Sequence, residues 1–197
     1  DLLAAADRRR GTAPLRLVFG FVIATGLYVQ LGWLWTFGWA AVYGASQILE
    51  MALLRGPRRA AWITPSRTRM AVIVGVFMLP AAIYAPLAMP IWQHGQYGPF
   101  MAVLLLAGGG LNLLVMAGTS AAAFIGPFVI YVGVWIALML NDARLSPQGR
   151  ATAVLLAIIV IANSFLAWRI QARALLAARL AAEDAERRRQ EAQAANN

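Results

Sequence analysis

Residues 151–197 read ATAVLLAIIVIANSFLAWRIQARALLAARLAAEDAERRRQEAQAANN and contain neither glycine nor proline. Residues 151–170 are apolar and have the length of a transmembrane helix, which needs about 20 such residues. The remainder is rich in alanine and in charged residues. Because no helix-breaking residue separates the two parts, we expect one helix that leaves the bilayer and continues through water.

The composition of the whole chain agrees with a membrane protein. Of its 197 residues, 61% are hydrophobic, and the mean hydropathy is +0.66. Soluble domains are usually about 45–50% apolar, so we predict an all-α, polytopic membrane protein embedded in a lipid bilayer. The chain has no cysteine and one histidine. Disulfides and thiolate metal sites are thereby excluded, and we predict no metal site and no cofactor.

Six stretches have the length and apolarity of spanning helices. Their approximate bounds are 15–35, 36–55, 70–92, 99–118, 120–140 and 151–170. The predicted domains are a cytoplasmic N-terminal segment over 1–14, a six-helix transmembrane domain over 15–170 and a cytoplasmic helical linker over 171–197. The predicted turns are a tight hairpin marked by Gly32 and Gly38, and a short connection at Gly118-Thr119-Ser120.

The arginines predict the orientation of the chain. All 17 basic residues are arginine, and cytoplasmic segments are enriched in arginine and lysine. With a cytoplasmic N-terminus, only Arg144 and Arg150 lie outside. Both termini should therefore be cytoplasmic, in a bacterial inner membrane. This topology also explains the net charge of +9 without a nucleic-acid partner.

Prolines and glycines predict irregular packing inside the bundle. Pro80, Pro86 and Pro90 each remove a backbone donor from the third stretch, which predicts a kinked helix with a cavity at the kink. Pro127 predicts the same in the fifth stretch. Membrane helices also tolerate proline without functional consequence. The run over 108–110 consists of glycine and lets a neighbouring helix approach closely.

Polar side chains inside the apolar stretches are the first candidates for function, because each costs free energy in a bilayer unless it is paired. Five fall in the predicted cytoplasmic half of stretches two, four and six: Gln47, Glu50, Asn112, Asn163 and Ser164. Gln47 and Glu50 share a helix face. One interpretation is a hydrogen-bonded switch biased by a ligand or by protonation of Glu50. The other is structural, with amides fastening helices and Glu50 meeting Arg55 or Arg16.

A second group of candidates lies in the predicted outer half. Tyr28, Gln30, Tyr84 and Tyr131 could rim a mostly apolar pocket with Trp135, as small-molecule sites usually are. The alternative is that they are interfacial belt residues, as are the tryptophans at the predicted membrane surfaces. The lone His94 lies in an outer loop, where it is either solvated or sensitive to pH.

No catalytic constellation is present in the sequence. It has no GxSxG, no HExxH and no pair of carboxylates within the predicted spans. We therefore expect no catalytic residue in this span.

Past Trp168 the helix follows a heptad rhythm. The repeated positions are Ile170, Ala174, Ala177, Ala181, Asp184, Arg188, Glu191 and Ala195. This pattern predicts a homodimer through the C-terminal helix, with a single solvated helix as the alternative.

The tail AEDAERRRQEAQAANN, residues 182–197, resembles the helical linker of bacterial sensor histidine kinases, the hybrid ones especially. In that family such a linker leads into the helix that carries the phosphorylated histidine. The resemblance implies a signal-input module of a two-component system whose kinase activity lies downstream of this chain. The expected cue is a lipophilic small molecule, a property of the lipid or a membrane-protein partner. A small transporter and a structural subunit of a larger membrane complex remain alternatives.

Overall fold

In this computed structural model, which describes residues 2–54 and 67–195, every regular element is helical. The predicted all-α fold is therefore confirmed. In chain order the helices are α1 (Leu2–Leu31), α2 (Trp33–Leu53), α3 (Arg67–Tyr84), a 3-10 turn (Ala85–Leu87), α4 (Ala88–Trp92), α5 (Gly98–Ala117), α6 (Ala121–Asn141) and α7 (Pro147–Ala195).

Five segments in the described ranges are long and apolar enough to cross a membrane. They are Arg8–Val29, Ala71–Trp92, Gly98–Ala117, Ala121–Asn141 and Pro147–Ala194. Helix α2 has 21 residues, which is sufficient length, but it falls outside this set. Its sequence includes Thr36, Gln47 and Glu50, all of them buried, and these polar side chains reduce its hydropathy. The chain therefore has helices that suit a membrane protein. Helix α2 is not one of the five candidate spans, and the residues that it buries are mostly polar.

Two of the predicted turns are confirmed. Gly32 separates α1 from α2 with a φ of 75°, and Gly118 ends α5 with a φ of 56°. Only glycine adopts such angles without a steric cost. The side chain of Ser120 accepts a hydrogen bond from the backbone N–H of Ala123 and so caps α6. Gly38, in contrast, lies inside α2, so the hairpin turn is shorter than expected.

The predicted break in the third stretch is also present. Helix α3 ends at Tyr84, and a 3-10 turn containing Pro86 leads into α4. A carbonyl freed beside a proline must find another donor in an apolar environment. The indole Nε1 of Trp39 supplies one, because it donates to the carbonyl of Ile83 at 2.9 Å. Trp39 therefore stabilises the break, whereas the sequence suggested only an interfacial anchor.

The helices form a bundle with α7 at its edge. Helix α2 packs against α1 and α3, α6 packs against α3 and α5, and α7 lies mainly along α6. The apolar core has two parts. One, called here the Trp92 end, includes Leu27, Ile91 and Trp92. The other, called the Trp168 end, includes Phe77, Phe124 and Trp168.

The segment expected as a separate N-terminal piece belongs to the bundle. Helix α1 begins at Leu2, and Ala5 and Ala6 are buried in the core of the Trp168 end. Alanine is small enough for helices to approach closely there. This packing brings Arg9 and Arg16, which follow on α1, into the interior of the protein.

Candidate functional site

A buried cluster of one carboxylate and two guanidinium groups lies between the two parts of the core. Glu50 on α2 accepts hydrogen bonds from Arg9 Nε at 2.9 Å and from Arg9 Nη2 at 3.0 Å. It also accepts from Arg16 Nη2 at 3.0 Å and from Arg16 Nη1 at 3.3 Å. Arg9 is 7% exposed, Arg16 6% and Glu50 2%. We call these three residues the Arg–Glu–Arg cluster.

The positions of the two arginines follow from helix geometry. They are seven residues apart, which is close to two helical turns, so both side chains emerge on the face of α1 that meets α2. The guanidinium of Arg16 also reaches back to donate to the carbonyl of Arg9 at 2.6 Å. The guanidinium carbon of Arg9 lies 4.7 Å from the centre of the Phe77 ring, a cation–π contact. The cluster thus joins α1, α2 and α3.

The charges of the cluster do not balance. Two guanidinium groups and one carboxylate leave an excess of one positive charge, because arginine remains protonated in proteins. Glu50 is the only buried carboxylate among the described side chains of α1 to α3. Within the same ranges, Arg16 Nε is buried without a hydrogen-bond partner. The site therefore retains an unmet affinity for a negatively charged or strongly accepting group.

Gln47 lies one helical turn before Glu50 and is completely buried. As the sequence predicted, the two residues share the inward face of α2. Neither the Oε1 nor the Nε2 atom of Gln47 has a hydrogen-bond partner in the described part of the chain. An amide in that condition costs free energy, so Gln47 does not act here as the helix fastener that its residue type suggested.

An interior cavity of about 320 Å³ adjoins the cluster at Arg16. Its polar lining comes from Arg16, Asn112 and three tyrosines, Tyr43, Tyr84 and Tyr131. The tyrosine rings are in contact: Tyr43 and Tyr84 lie 6.0 Å apart between centroids, and Tyr84 and Tyr131 lie 6.2 Å apart. The cavity is therefore mostly aromatic on one side and cationic at one end.

A second void of about 30 Å³ lies beside Pro80 and Pro127 and is also lined by Arg9 and Arg16. The two prolines were predicted to disturb packing in stretches three and five. The structure places both at this void, and their residues are buried. The irregular packing therefore lies next to the charged cluster.

Two glycines make room for the tyrosines that line the cavity. A Cβ atom on Gly20 would lie 2.8 Å from the Cδ1 atom of Tyr43, and one on Gly109 would collide with the ring of Tyr131. Gly108 and Gly110 have open space at the same position. The close approach predicted for the run of three glycines is therefore required at Gly109 alone.

The other predicted inner residues do not form one network with Glu50. Asn112 lines the cavity near Arg16. Asn163 is exposed and donates to the carbonyl of Ile159 on its own helix, at 3.0 Å. Ser164 lines a separate groove of about 330 Å³ between α5, α6 and α7. The expected cluster across stretches two, four and six is wrong in this respect, because α1 supplies the partners of Glu50.

The predicted outer pocket is also rearranged. Tyr84 and Tyr131 are brought together, but they line the cavity beside Arg16 and not a separate site. Tyr28 is exposed and contacts Phe37, with the ring centroids 6.0 Å apart. Trp135 lines the groove that contains Ser164. The side chain of Gln30 lies outside the described part of the chain, and His94 is exposed in the loop after α4.

At the Trp92 end of the bundle, side-chain hydrogen bonds hold the end of α4 against the loop after α6. The carboxylate of Asp142 accepts hydrogen bonds from Trp92 Nε1 and from Arg144 Nε, each at 2.9 Å. Arg144 Nη2 also donates to the carbonyl of Trp92 at 3.2 Å. The hydrogen bond from the Arg144 side chain is the main reason why the pKa of Asp142 falls to about 2. Trp92 is thus buried and joins the end of α4 to the loop after α6, whereas the sequence suggested only an interfacial anchor.

A second tryptophan attaches α7 to the opposite end. Trp168 Nε1 donates to the carbonyl of Gly118 at 3.0 Å, and its ring stacks on Phe124 with the centroids 5.1 Å apart. The guanidinium of Arg8 also lies against Gly118. Arg8 is the residue before Arg9 on α1. Its contact with Gly118 therefore connects the Arg–Glu–Arg cluster to the α5–α6 turn, to which Trp168 is hydrogen-bonded.

Sequence reasoning missed Arg9, although it named Arg16 as a possible partner of Glu50. Residues 1–14 were predicted to be a cytoplasmic segment separate from the transmembrane domain. The structure packs Ala5 and Ala6, which precede Arg9, in the core, and the sequence pattern alone did not indicate that burial.

The site offers no evident metal centre. No group of three or more metal-ligating side chains occurs within residues 2–54 and 67–195. Comparison with family models, curated proteins and solved structures finds no match to this chain. The features that bear on its function are therefore the cluster, the cavity and helix α7.

Proposed function

We propose that this chain is the signal-input module of a bacterial sensor histidine kinase in the inner membrane. Six helices cross the bilayer, both termini are cytoplasmic, and α7 carries the signal to a dimeric output. The observation that carries the proposal is the continuity of α7, a single helix of 49 residues from Pro147 to Ala195. Its first part is apolar, and residues 181–194 are all exposed and all charged, polar or alanine.

The arginine distribution supports this orientation. Arg8, Arg9 and Arg16 lie toward the Trp168 end, and the charged part of α7 continues beyond that end. The Trp92 end contains Arg144 and Arg150 only among the described arginines. An excess of arginine on one side indicates the cytoplasmic side. On this basis α2 is the sixth span, and its buried polar residues are shielded from lipid by α1 and α3.

A contiguous set of contacts supports communication between the cavity and α7. Arg16 lines the cavity and shares Glu50 with Arg9, Arg8 lies against Gly118, and Gly118 accepts the hydrogen bond from Trp168. A change at Arg16 that displaces α1 would therefore act on the turn that holds α7. Adjacency alone does not demonstrate coupling, and the test must measure output.

The decisive experiment varies the helical phase of α7. One to seven alanines are inserted after Ala178 in the full polypeptide that carries this chain, and histidine autophosphorylation is measured in membrane vesicles with radiolabelled ATP. We expect activity to change with each insertion and to return near seven residues, because a heptad restores the coiled-coil register.

The same insertions in the exposed loop at Gly95 are the control, since they leave α7 intact. Autophosphorylation in these variants should not depend on the number of inserted residues with a period of seven. The proposal fails if no acid-labile phosphohistidine forms. It also fails if every α7 insertion has the same effect.

A structural subunit is the second candidate, favoured by the exposed apolar surface of α7. Leu155, Ile158 and Ile170 are each more than half exposed. Lipid or another copy of α7 can cover such residues as well as a foreign subunit can. Purification in a mild detergent as a complex with a different membrane protein, with no phosphohistidine, would favour this candidate.

A further inference from the structure

We propose that the interior cavity binds a single-chain amphiphilic anion, with its carboxylate at Arg16 and its alkyl chain between α1 and α5. The inference rests on the proposed function, because it names the chemical class of the cue. Binding itself can be measured without any output.

The charge of the site selects an anion. Arg16 is 94% buried and lines the cavity, and its Nε has no partner in the described chain. Glu50 can neutralise only one of the two arginines that share it. The Nη atoms of Arg16 already donate to Glu50 and to the carbonyl of Arg9, so its free Nε–H is the donor for a carboxylate oxygen, in a charge-assisted hydrogen bond. A cationic amphiphile would meet two guanidinium groups, and a neutral one would leave the excess charge uncompensated.

The rest of the lining suits an alkyl chain. From Arg16 the cavity extends along Phe19 and Ile23 of α1, past Gly108 of α5. Phe19 is 56% exposed and Gly108 is also exposed, so this wall reaches the lipid-facing surface of the bundle. A ligand dissolved in the bilayer can therefore enter sideways, with its polar group leading toward Arg16.

The volume limits the size of the ligand. Small-molecule sites usually measure roughly 300–1,000 Å³, and this cavity, at about 320 Å³, is near the lower limit. It has space for one alkyl chain of moderate length and not for both chains of a phospholipid. The tyrosine rings of the lining supply further apolar contact.

The test compares three probes that share one alkyl chain: dodecanoate, dodecanol and dodecyltrimethylammonium. Binding to the full chain in phosphatidylcholine nanodiscs is measured by equilibrium dialysis with radiolabelled probe. We expect dodecanoate to bind near one equivalent and at least about tenfold more tightly than the other two, as a charged hydrogen bond in a buried site implies.

Two variants test different parts of the site. Arg16→Gln leaves Arg9 and Glu50 as a neutral pair, so the bundle should tolerate it, while the preference for dodecanoate over dodecanol should disappear. Gly108→Leu adds a side chain to the cavity wall where a Cβ has open space, and it should weaken binding of dodecanoate without touching the charges. Gly75→Leu is the matched control, because Gly75 is exposed on α3, has equal space and lies outside this lining.

Equal binding of dodecanoate and dodecanol would overturn the proposal, as would an unchanged preference in Arg16→Gln. Competition by added phosphatidylglycerol would also overturn it, because the occupant would then be a two-chain lipid of the bilayer. If dodecanoate binds as expected but phosphohistidine output is independent of the α7 phase, the site stands and the signalling role fails.

Discussion

Glu50 joins α2 to α1 through four hydrogen bonds to two arginines, and Arg9 in turn contacts Phe77 on α3. A buried ion pair is weak evidence of net stabilisation, since burying the charges is itself costly. Its loss is different. When the carboxylate is removed, both arginines remain buried without compensation, and the cost is about 3–5 kcal/mol.

We therefore expect Glu50→Gln to lower the stability of the protein by about 3–5 kcal/mol, although the shape of the side chain hardly changes. Thermal unfolding in detergent, followed by far-ultraviolet circular dichroism, measures the effect. Glu186→Gln is the control, because Glu186 is exposed on α7 and should change little. Equal melting temperatures for the two variants would mean that Glu50 is not buried with the arginines.

At this scale the sequence indicates which residues matter better than it indicates their partners. Glu50 and Gln47 stand out because they interrupt an apolar stretch. Their environments depend on neighbours that are distant in sequence: Arg9 is 41 residues from Glu50. Gln47 shows the same limit, since no pattern in α2 reveals that its amide is buried without a partner.

Among the elements, α7 depends most on a single side chain. Trp168 is buried and provides both a ring stack and a hydrogen bond to the α5–α6 turn, while the helix around it is largely exposed. The stacking and the hydrogen bond of Trp168 should therefore contribute separately to the stability of the protein.

We expect Trp168→Phe to keep most of the stacking and to cost about 1 kcal/mol for the lost hydrogen bond. Trp168→Ala should cost about 3–5 kcal/mol, as large-to-small changes in a core do. Thermal melts measure both, and Trp35→Phe, at an exposed tryptophan, is the control. Similar effects of Trp168→Phe and Trp35→Phe would show that the bond to Gly118 contributes nothing.

Asp142, in the loop after α6, predicts how the stability of the protein depends on pH in the acid range. Asp142 has a pKa of about 2 in the folded protein against an ordinary value of 3.8. Its hydrogen bonds to Arg144 and Trp92 favour the ionised form, so their contribution to stability is complete above pH 3.8 and is lost as the pH falls through about 2.

The melting temperature of Asp142→Asn should therefore lie below that of the wild type by a constant amount above about pH 4, and the difference should shrink below that pH. Asn141→Asp is a useful comparison, because Asn141 is exposed and does not form the hydrogen bonds to Trp92 and Arg144 that Asp142 forms. A difference that persists unchanged at pH 2 would contradict the assigned pKa.

The elements themselves were largely predictable. The helices and their breaks follow from local features of the sequence, which are the apolar stretches of about 20 residues, the glycines at 32 and 118, and Pro86 after α3. The start of α1 at Leu2 was not predictable, because a run of arginines is typical of a solvated segment. Arg9 can be buried only because it contacts Glu50, which is distant in the sequence.

For the whole molecule, association through α7 is the expectation that can be tested most directly. The chain has no cysteine, so single cysteines can be introduced without background. Copper-phenanthroline oxidation in membranes should cross-link Ala174→Cys, Ala177→Cys and Ala181→Cys more strongly than Ala178→Cys, which lies off the heptad seam. Uniform cross-linking at all four positions, or none, would contradict a coiled-coil dimer.

The dimensions of α7 set how a displacement would arrive at its far end. With Trp168 as the fulcrum, one arm of this lever runs 21 residues back to Pro147, about 32 Å, and the other 27 residues on to Ala195, about 40 Å. A stiff rod pivoting at that point inverts a sideways movement and enlarges it only by about a quarter. An output at Ala195 would therefore receive a reversed displacement of nearly unchanged size, so its sensitivity must come from its own bistability rather than from mechanical gain.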